Sequence, residues 1–274
     1  MLANAFDVPR LALCLGLSLL AGGLAFWQGA LTASGWAGAV VVGTLTAGLG
    51  GWDWGLLVIV FFVSSSALSH FGARRKARFV AGQWEKGSRR DWGQVMANGG
   101  LVSALAVLHA TWPAPLLRAA ALGVLGTVTG DTWATEVGVL SRREPRLITT
   151  GRRVPAGTSG GVTLLGSAAA LGGAALIGLA AVLLRSLLFH QWEPWVLPAA
   201  LVGGVAGVAL DSLLGATLQA IFWCPRCQAE TERRFHACGT ATIPLRGWRW
   251  LNNDAVNALS SVGGAAVAML VSRL

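Results

Sequence analysis

The sequence predicts an all-α protein, a polytopic membrane bundle of about eight spans built from apolar helices roughly 20 residues long. Three observations predict it. Of the 274 residues 54% are hydrophobic and only 12% are charged, where soluble domains carry about 25% charged residues. The apolar residues are gathered into long runs rather than scattered. The basic residues are gathered too, into three stretches that fall on one side of the membrane once the runs are counted as spans.

The runs, in order, are 8–27, 34–51, 54–71, 94–111, 115–140, 160–184, 195–222 and 251–271. The first is too long for a signal-peptide core and has no convincing cleavage site, so it is read as a retained span. The connections 51–53, 112–114 and 190–194 are short and leave no room for a domain on their side. The other connections, 72–93, 141–159 and 223–250, are polar loops of a single transmembrane domain spanning 1–274. All but Arg10, Arg118, Arg185 and Arg273 of the 21 Lys and Arg lie in those three loops. Lys and Arg collect in cytoplasmic loops, so the three face the cytoplasm and the N-terminus lies outside, as in a bacterial inner (plasma) membrane. The net charge of +9 is therefore a topology signal, and nucleic-acid binding is excluded as its explanation. The 37 glycines fit helices that approach one another closely. With no Tyr present, the 13 Trp must supply any interfacial aromatic belt.

Against this background four acids stand out: Asp131 and Glu136 in the inner half of the fifth run, Asp211 well inside the seventh, and Asp254 at the start of the eighth. A carboxylate in a span costs about 2.5–3.5 kcal/mol on insertion scales and normally faces a polar cavity, a cation or a metal. Four at similar depth predict a common cavity, although Asp254 also suits a helix N-cap. Asp131 and Glu136 are five residues apart and would not share a face of a straight helix, whereas Thr127, Asp131 and Thr135 would. With Gly126 and Gly130 just before Asp131, a bent or interrupted helix is expected there.

Glycine-rich helix starts form the second constellation. Arg152 and Arg153 lead into Val154-Pro155-Ala156-Gly157-Thr158-Ser159-Gly160-Gly161, Arg89 and Arg90 precede Asn98-Gly99-Gly100, and Asn252-Asn253-Asp254 opens the last run. Free N–H groups at a helix start bind phosphate, and neighbouring Arg can grip it bidentately. Carboxylates for Mg²⁺ and amides with cations for phosphates are the parts of phosphoryl transfer. There is no Gly-x-x-x-x-Gly-Lys-Ser/Thr motif, which excludes a P-loop ATPase. The third constellation, Cys224-Pro225-Arg226-Cys227 with His236-Ala237-Cys238, supplies a Cys₃His set for structural Zn²⁺ that would staple a loop too small to have a core of its own.

The string Gly130-Asp131-Thr132-Trp133-Ala134-Thr135-Glu136-Val137-Gly138, followed by Leu147-Ile148-Thr149-Thr150-Gly151 and the run from Val154 to Thr163, strongly resembles the phytyl-phosphate kinase family, whose animal members are called transmembrane protein 19. Phe61-Phe62-Val63-Ser64-Ser65-Ser66 with Lys76, Gln94-Val95-Met96-Ala97-Asn98-Gly99-Gly100 and Trp250-Leu251-Asn252-Asn253-Asp254-Ala255-Val256-Asn257 carry the resemblance along nearly the whole chain. It implies phosphorylation of an isoprenyl monophosphate, such as phytyl or geranylgeranyl phosphate, to the diphosphate, with a nucleoside triphosphate such as CTP as donor. Carried onto this chain, it makes Asp131, Glu136, Asp211 and Asp254 the catalytic and Mg²⁺ candidates, assisted by Asn98, Asn253 and Asn257. The phosphate candidates are Lys76, Arg89, Arg90, Arg152, Arg153, Gly157, Thr158, Ser159, Gly160 and Gly161. Ser159 stands where the family carries Asn. The implied partners are a lipid phosphate and the surrounding membrane lipid. Two other readings stay open from the residues: an enzyme acting on the free alcohol or transferring a cytidylyl group, and a lipid or ion transporter built on buried acids and broken helices.

Overall fold

The computed structural model describes residues 7–72, 76 and 89–274. Its long helices are α1 (Val8–Trp27), α2 (Ala33–Leu45, continued by a π turn over Thr46–Gly50), α3 (Trp52–His70), α4 (Trp92–Thr111), α5 (Pro115–Gly138), α6 (Leu164–Phe189), α7 (Val196–Thr217) and α8 (Asn253–Val271). Six of them, all but α4 and α5, are long and apolar enough to cross a membrane. The protein is mostly helical but not all-α. Strands β1 (Arg146–Leu147) and β2 (Gly161–Val162) pair antiparallel, and β3 (Ile221–Cys224) lies between β4 (Ala229–Thr231) and β5 (Ile243–Arg246) in a small sheet. The basic residues Arg74, Arg75, Arg78 and Lys86 of the 72–93 loop lie outside the described residues.

α5 is the axis of the bundle. Every residue from Ala119 to Gly130 is buried, because α5 meets α6, α7, α8, α4 and α3. A helix surrounded by helices needs small residues rather than lipid-soluble ones, which explains why α5 is less apolar than its neighbours. A Cβ added at Gly126 would sit 2.5 Å from the Ala200 carbonyl oxygen, and one at Gly130 would sit 2.9 Å from that of Ala170. These glycines set the spacing between helices and do not bend the chain: α5 runs unbroken through Asp131, against the expected interruption.

Three expected helix limits also move. The seventh run was expected to continue to 222, but α7 stops at Thr217 and Ile221 and Phe222 are buried in β3. A short apolar run does not by itself distinguish a strand from a helix end. Gly160 and Gly161 do not start α6, which begins at Leu164 with Thr163 as its cap, the Gly166 N–H donating to Thr163 Oγ1 at 2.9 Å. Asn98 is not at a helix start either, since α4 opens at Trp92 behind a reciprocal Asp91–Gln94 capping box. The last run starts as expected, with Asn252 rather than Asp254 as the cap.

Candidate active site

One end of the bundle opens into a cavity of about 630 Å³, within the range of ligand sites. It is formed where the C-terminal ends of α3, α5 and α7 meet the N-terminal ends of α4, α6 and α8, and the 157–161 loop lies over it. Asp131 and Asp211 both line it and are close enough to act on one another electrostatically. Asp211 Oδ2 accepts from Ser260 Oγ at 2.8 Å, and Ser260 is fully buried. The Asp131 side chain makes no hydrogen bond or ion pair among the described residues. Asp254, in the first turn of α8, lines the same cavity with Asn253 and Asn257, and Asn98 faces them from α4.

Glu136 also reaches the cavity, although five residues separate it from Asp131. Its two oxygens are already engaged: Lys76 Nζ donates to one at 2.6 Å and Ser69 Oγ to the other at 2.6 Å. Lys76 is 5% exposed and also donates to the Leu68 carbonyl. The ammonium is thus held at the cavity wall by Glu136. Glu136, expected as a metal ligand, thus already accepts one hydrogen bond at each oxygen and anchors Lys76. Arg90 lines the cavity as well, its guanidinium stacked over Phe61 and Phe62 at 5.4 and 5.3 Å. Its Nη1 is buried with no hydrogen-bond partner among the described residues, and burial draws its pKa down to about 10, which leaves it charged at neutral pH. A buried unsatisfied donor is costly, and an anionic oxygen in the cavity would satisfy it.

The glycine run forms a fixed loop. Ile148 N–H donates to the Gly160 carbonyl at 3.0 Å and Gly161 N–H to that of Thr158 at 2.9 Å. Gly160 has φ +80°, and a Cβ there would lie 2.5 Å from the Ala216 nitrogen of α7. Only glycine can take that conformation against that helix. Gly157, Thr158, Ser159, Gly160 and Gly161 all line the cavity, so the loop offers backbone and hydroxyl groups to an anion from a turn rather than from a helix start.

Three phosphate candidates do not line the cavity. Arg89 donates to the Leu31 carbonyl at 3.0 Å, tying the α1–α2 connection to the start of α4. Arg152 and Arg153 are exposed on the loop's outer edge, where Arg153 bridges to Arg146. A charged pair beside a glycine run satisfies its solvation on the outside. Conversely, Gln219, Ser212 and Glu232 line the cavity and were not expected there. Ser212 follows Asp211 and had its proximity as a signal. Glu232 had none, being an ordinary acid in a loop.

The Cys₃His set does converge. The ligand atoms of Cys224, Cys227, His236 and Cys238 all lie within 4.8 Å of one another, and none of the cysteines is in a disulfide. Among the described residues no other group brings three or more Cys, His, Asp or Glu ligand atoms together in this way. The cavity acids therefore do not form a closed cage. Oxygen donors that leave positions open are what Mg²⁺ uses, since it is commonly held by one or two carboxylates with phosphates and waters.

Residues 16–265 match the family described as Integral membrane protein DUF92. Protein PGR of Arabidopsis thaliana is 34% identical over 235 residues, which is 77% of this chain and 78% of that protein. The membrane protein MJ0933 of Methanocaldococcus jannaschii is 28% identical over 85% of this chain and 82% of its own length. Protein VTE6, chloroplastic, also from Arabidopsis thaliana, is 26% identical over 89% of this chain and 66% of its own length. No solved structure matches the chain. The match over most of the chain, and the PGR and VTE6 relatives, place the protein in the DUF92 family of integral membrane proteins and support the resemblance to the phytyl-phosphate kinase family carried by its strings.

Proposed function

We propose that this protein transfers the terminal phosphoryl group of a nucleoside triphosphate to an isoprenyl monophosphate, such as phytyl or geranylgeranyl phosphate, giving the diphosphate. All eight long helices span the membrane in this reading. The cavity and the three basic loops face the cytoplasm, and the membrane is a bacterial plasma membrane. The observation that carries the proposal is the composition of this cavity: Asp131, which has no partner among the described residues, with Asp211 and Asp254, faces the 157–161 loop and the cations Lys76 and Arg90. Family membership supports it independently.

The oxygen donors fit Mg²⁺, which one or two carboxylates of the Asp131, Asp211 and Asp254 set would hold, with Asn98, Asn253 and Asn257 lining the same cavity. When bound it would neutralise charge on the transferred group. The remaining work belongs to the chain. The 157–161 loop grips a phosphate through backbone amides, Lys76 is aimed by Glu136, and Arg90 supplies a donor that has no partner among the described residues. The acceptor already carries an ionised phosphate oxygen, so no strong general base is required. The lipid tail lies among the helices while its head meets a soluble nucleotide at the cytoplasmic face.

Incubation of the purified protein with geranylgeranyl phosphate, Mg²⁺ and each of CTP, ATP, GTP and UTP tests this. Diphosphate is the expected product with at least one donor. Monophosphate formed from the free alcohol, or a nucleotide-linked lipid, would reassign the acceptor or the group transferred. The transporter reading is disfavoured by the glycine packing along α5, which closes the bundle beneath the cavity. Alternating access needs a route to the other side.

A further inference from the structure

We propose that Cys224, Cys227, His236 and Cys238 bind one zinc ion, and that this ion holds the β3–β4 hairpin so that Glu232 fastens the glycine loop at Ser159. The Cys224 and Cys238 sulfurs are 3.7 Å apart. That is far beyond the roughly 2.05 Å of a disulfide. It matches the edge of about 3.8 Å that a tetrahedron with Zn–S of about 2.3 Å requires. His236 Nδ1 faces the Cys238 sulfur at 3.2 Å. Each half of the site sits on a tight turn. The Cys227 N–H donates to Cys224 Sγ at 3.4 Å, and Gln228 takes φ 50°. The Gly239 N–H donates to the His236 carbonyl at 2.9 Å, and Gly239 takes φ 79°. Both turns thus bring their ligands to one point from either side of the hairpin.

The hairpin's own core amounts to little more than Ile221, Phe222, Cys224 and Thr231, too few residues to hold a fold unaided. Yet it performs a positioning task at the cavity. Phe222 pairs with Thr231, and the next residue, Glu232, leaves the sheet toward the 157–161 loop. There its Oε1 accepts from Ser159 Oγ at 2.9 Å and from Gln219 Nε2 at 2.8 Å. Glu232 thereby joins the sheet, the end of α7 and the glycine loop through one carboxylate oxygen. On the other flank Arg246 of β5 donates to the Gly215 carbonyl of α7 at 3.0 Å. The ion is structural in this proposal: four protein ligands close its shell, and Glu232 is a positioning residue. The consequence for catalysis rests on the phosphotransfer reading, whereas the ion and the coupling do not.

The experiment therefore uses readouts that need neither nucleotide nor lipid. The full chain, Cys227→Ser and Glu232→Ala are purified without added metal, and metal content and hydrogen–deuterium exchange over residues 146–162 are measured. Wild type and Glu232→Ala should each carry about one zinc per chain, and Cys227→Ser little or none. Exchange in the loop should rise about fivefold or more in both variants, as loss of the Ser159 bond implies. Wild type that carries no zinc, or carries iron instead, overturns the ion, and so does zinc retained undiminished by Cys227→Ser. Unchanged loop exchange in zinc-replete Glu232→Ala overturns the coupling. In a phosphotransfer assay Glu232→Ala should raise KM for the nucleotide more than it lowers kcat. A wild type active in neither direction would defeat the phosphotransfer reading while leaving the zinc result standing.

Discussion

The bundle buries charge at both ends and handles it in opposite ways. At the end away from the cavity, Arg118 meets Glu193 at 2.9 Å, and Arg185 meets Glu193 at 3.1 Å and Asp53 at 3.7 Å. Two cations face two anions around a space of only about 30 Å³. At the cavity end, Lys76 and Glu136 form one such pair. Asp131 makes no ion pair or hydrogen bond among the described residues, and the space is about 630 Å³. Buried ions that balance each other are a structural solution, whereas breaking such a pair leaves a costly charge behind. A carboxylate with no partner among the described residues, in a space wide enough for a ligand, is the arrangement of a site whose balance is completed from outside.

Substitutions at the two ends should therefore separate activity from stability. The largest effect is expected for Asp131→Asn, a drop in diphosphate formation on the order of 10³-fold with normal insertion and thermal unfolding. An active Asp131→Asn protein would erase the contrast between the ends. Glu193→Gln should do the reverse, lowering stability by about 3 kcal/mol in thermal unfolding while kcat is unchanged. If it lost activity without unfolding, the far end would have to be read as part of the site. Gly207→Ala tests the packing between the ends. Its Cβ would run into the Thr127 side chain, and a loss of about 2 kcal/mol is expected from overpacking. The smallest effect is that of Ser260→Ala, which removes one buried hydrogen bond to Asp211. It should raise the Mg²⁺ concentration for half-maximal rate about fivefold, read from Mg²⁺ titrations of the rate.

The two ends were unequally legible in the sequence. Spans can be read because lipid tolerates little but apolar side chains, and Asp131 and Asp211 because a carboxylate inside an apolar run has few innocent explanations. Their convergence on one cavity followed from depth alone. Glu136 shows the limit of that logic. It is just as conspicuous, but its partner Lys76 lies 60 residues away in the chain, and only the fold reveals the pair. Arg152 and Arg153 show the converse limit: they lie exposed outside the cavity wall, and a basic pair beside a glycine run looks the same in sequence whether it turns inward or out. Glu232 was illegible because its partner Ser159 lies 73 residues away in the chain, a contact only the fold reveals.

α1 packs against α2 and the π turn that follows it, its 18-residue hydrophobic window is only 17% buried, and neither α1 nor α2 contributes a residue to the cavity wall. Evolutionary drift in α1 is thus constrained mainly by the solvent it must dissolve in, whereas α2 also packs on α4 and its Gly35 lies against the Arg90 carbonyl. α1 is the natural place to attach a fluorophore or a fusion partner, and the part of the molecule where a lineage can retune its fit to bilayers of different thickness without touching the chemistry.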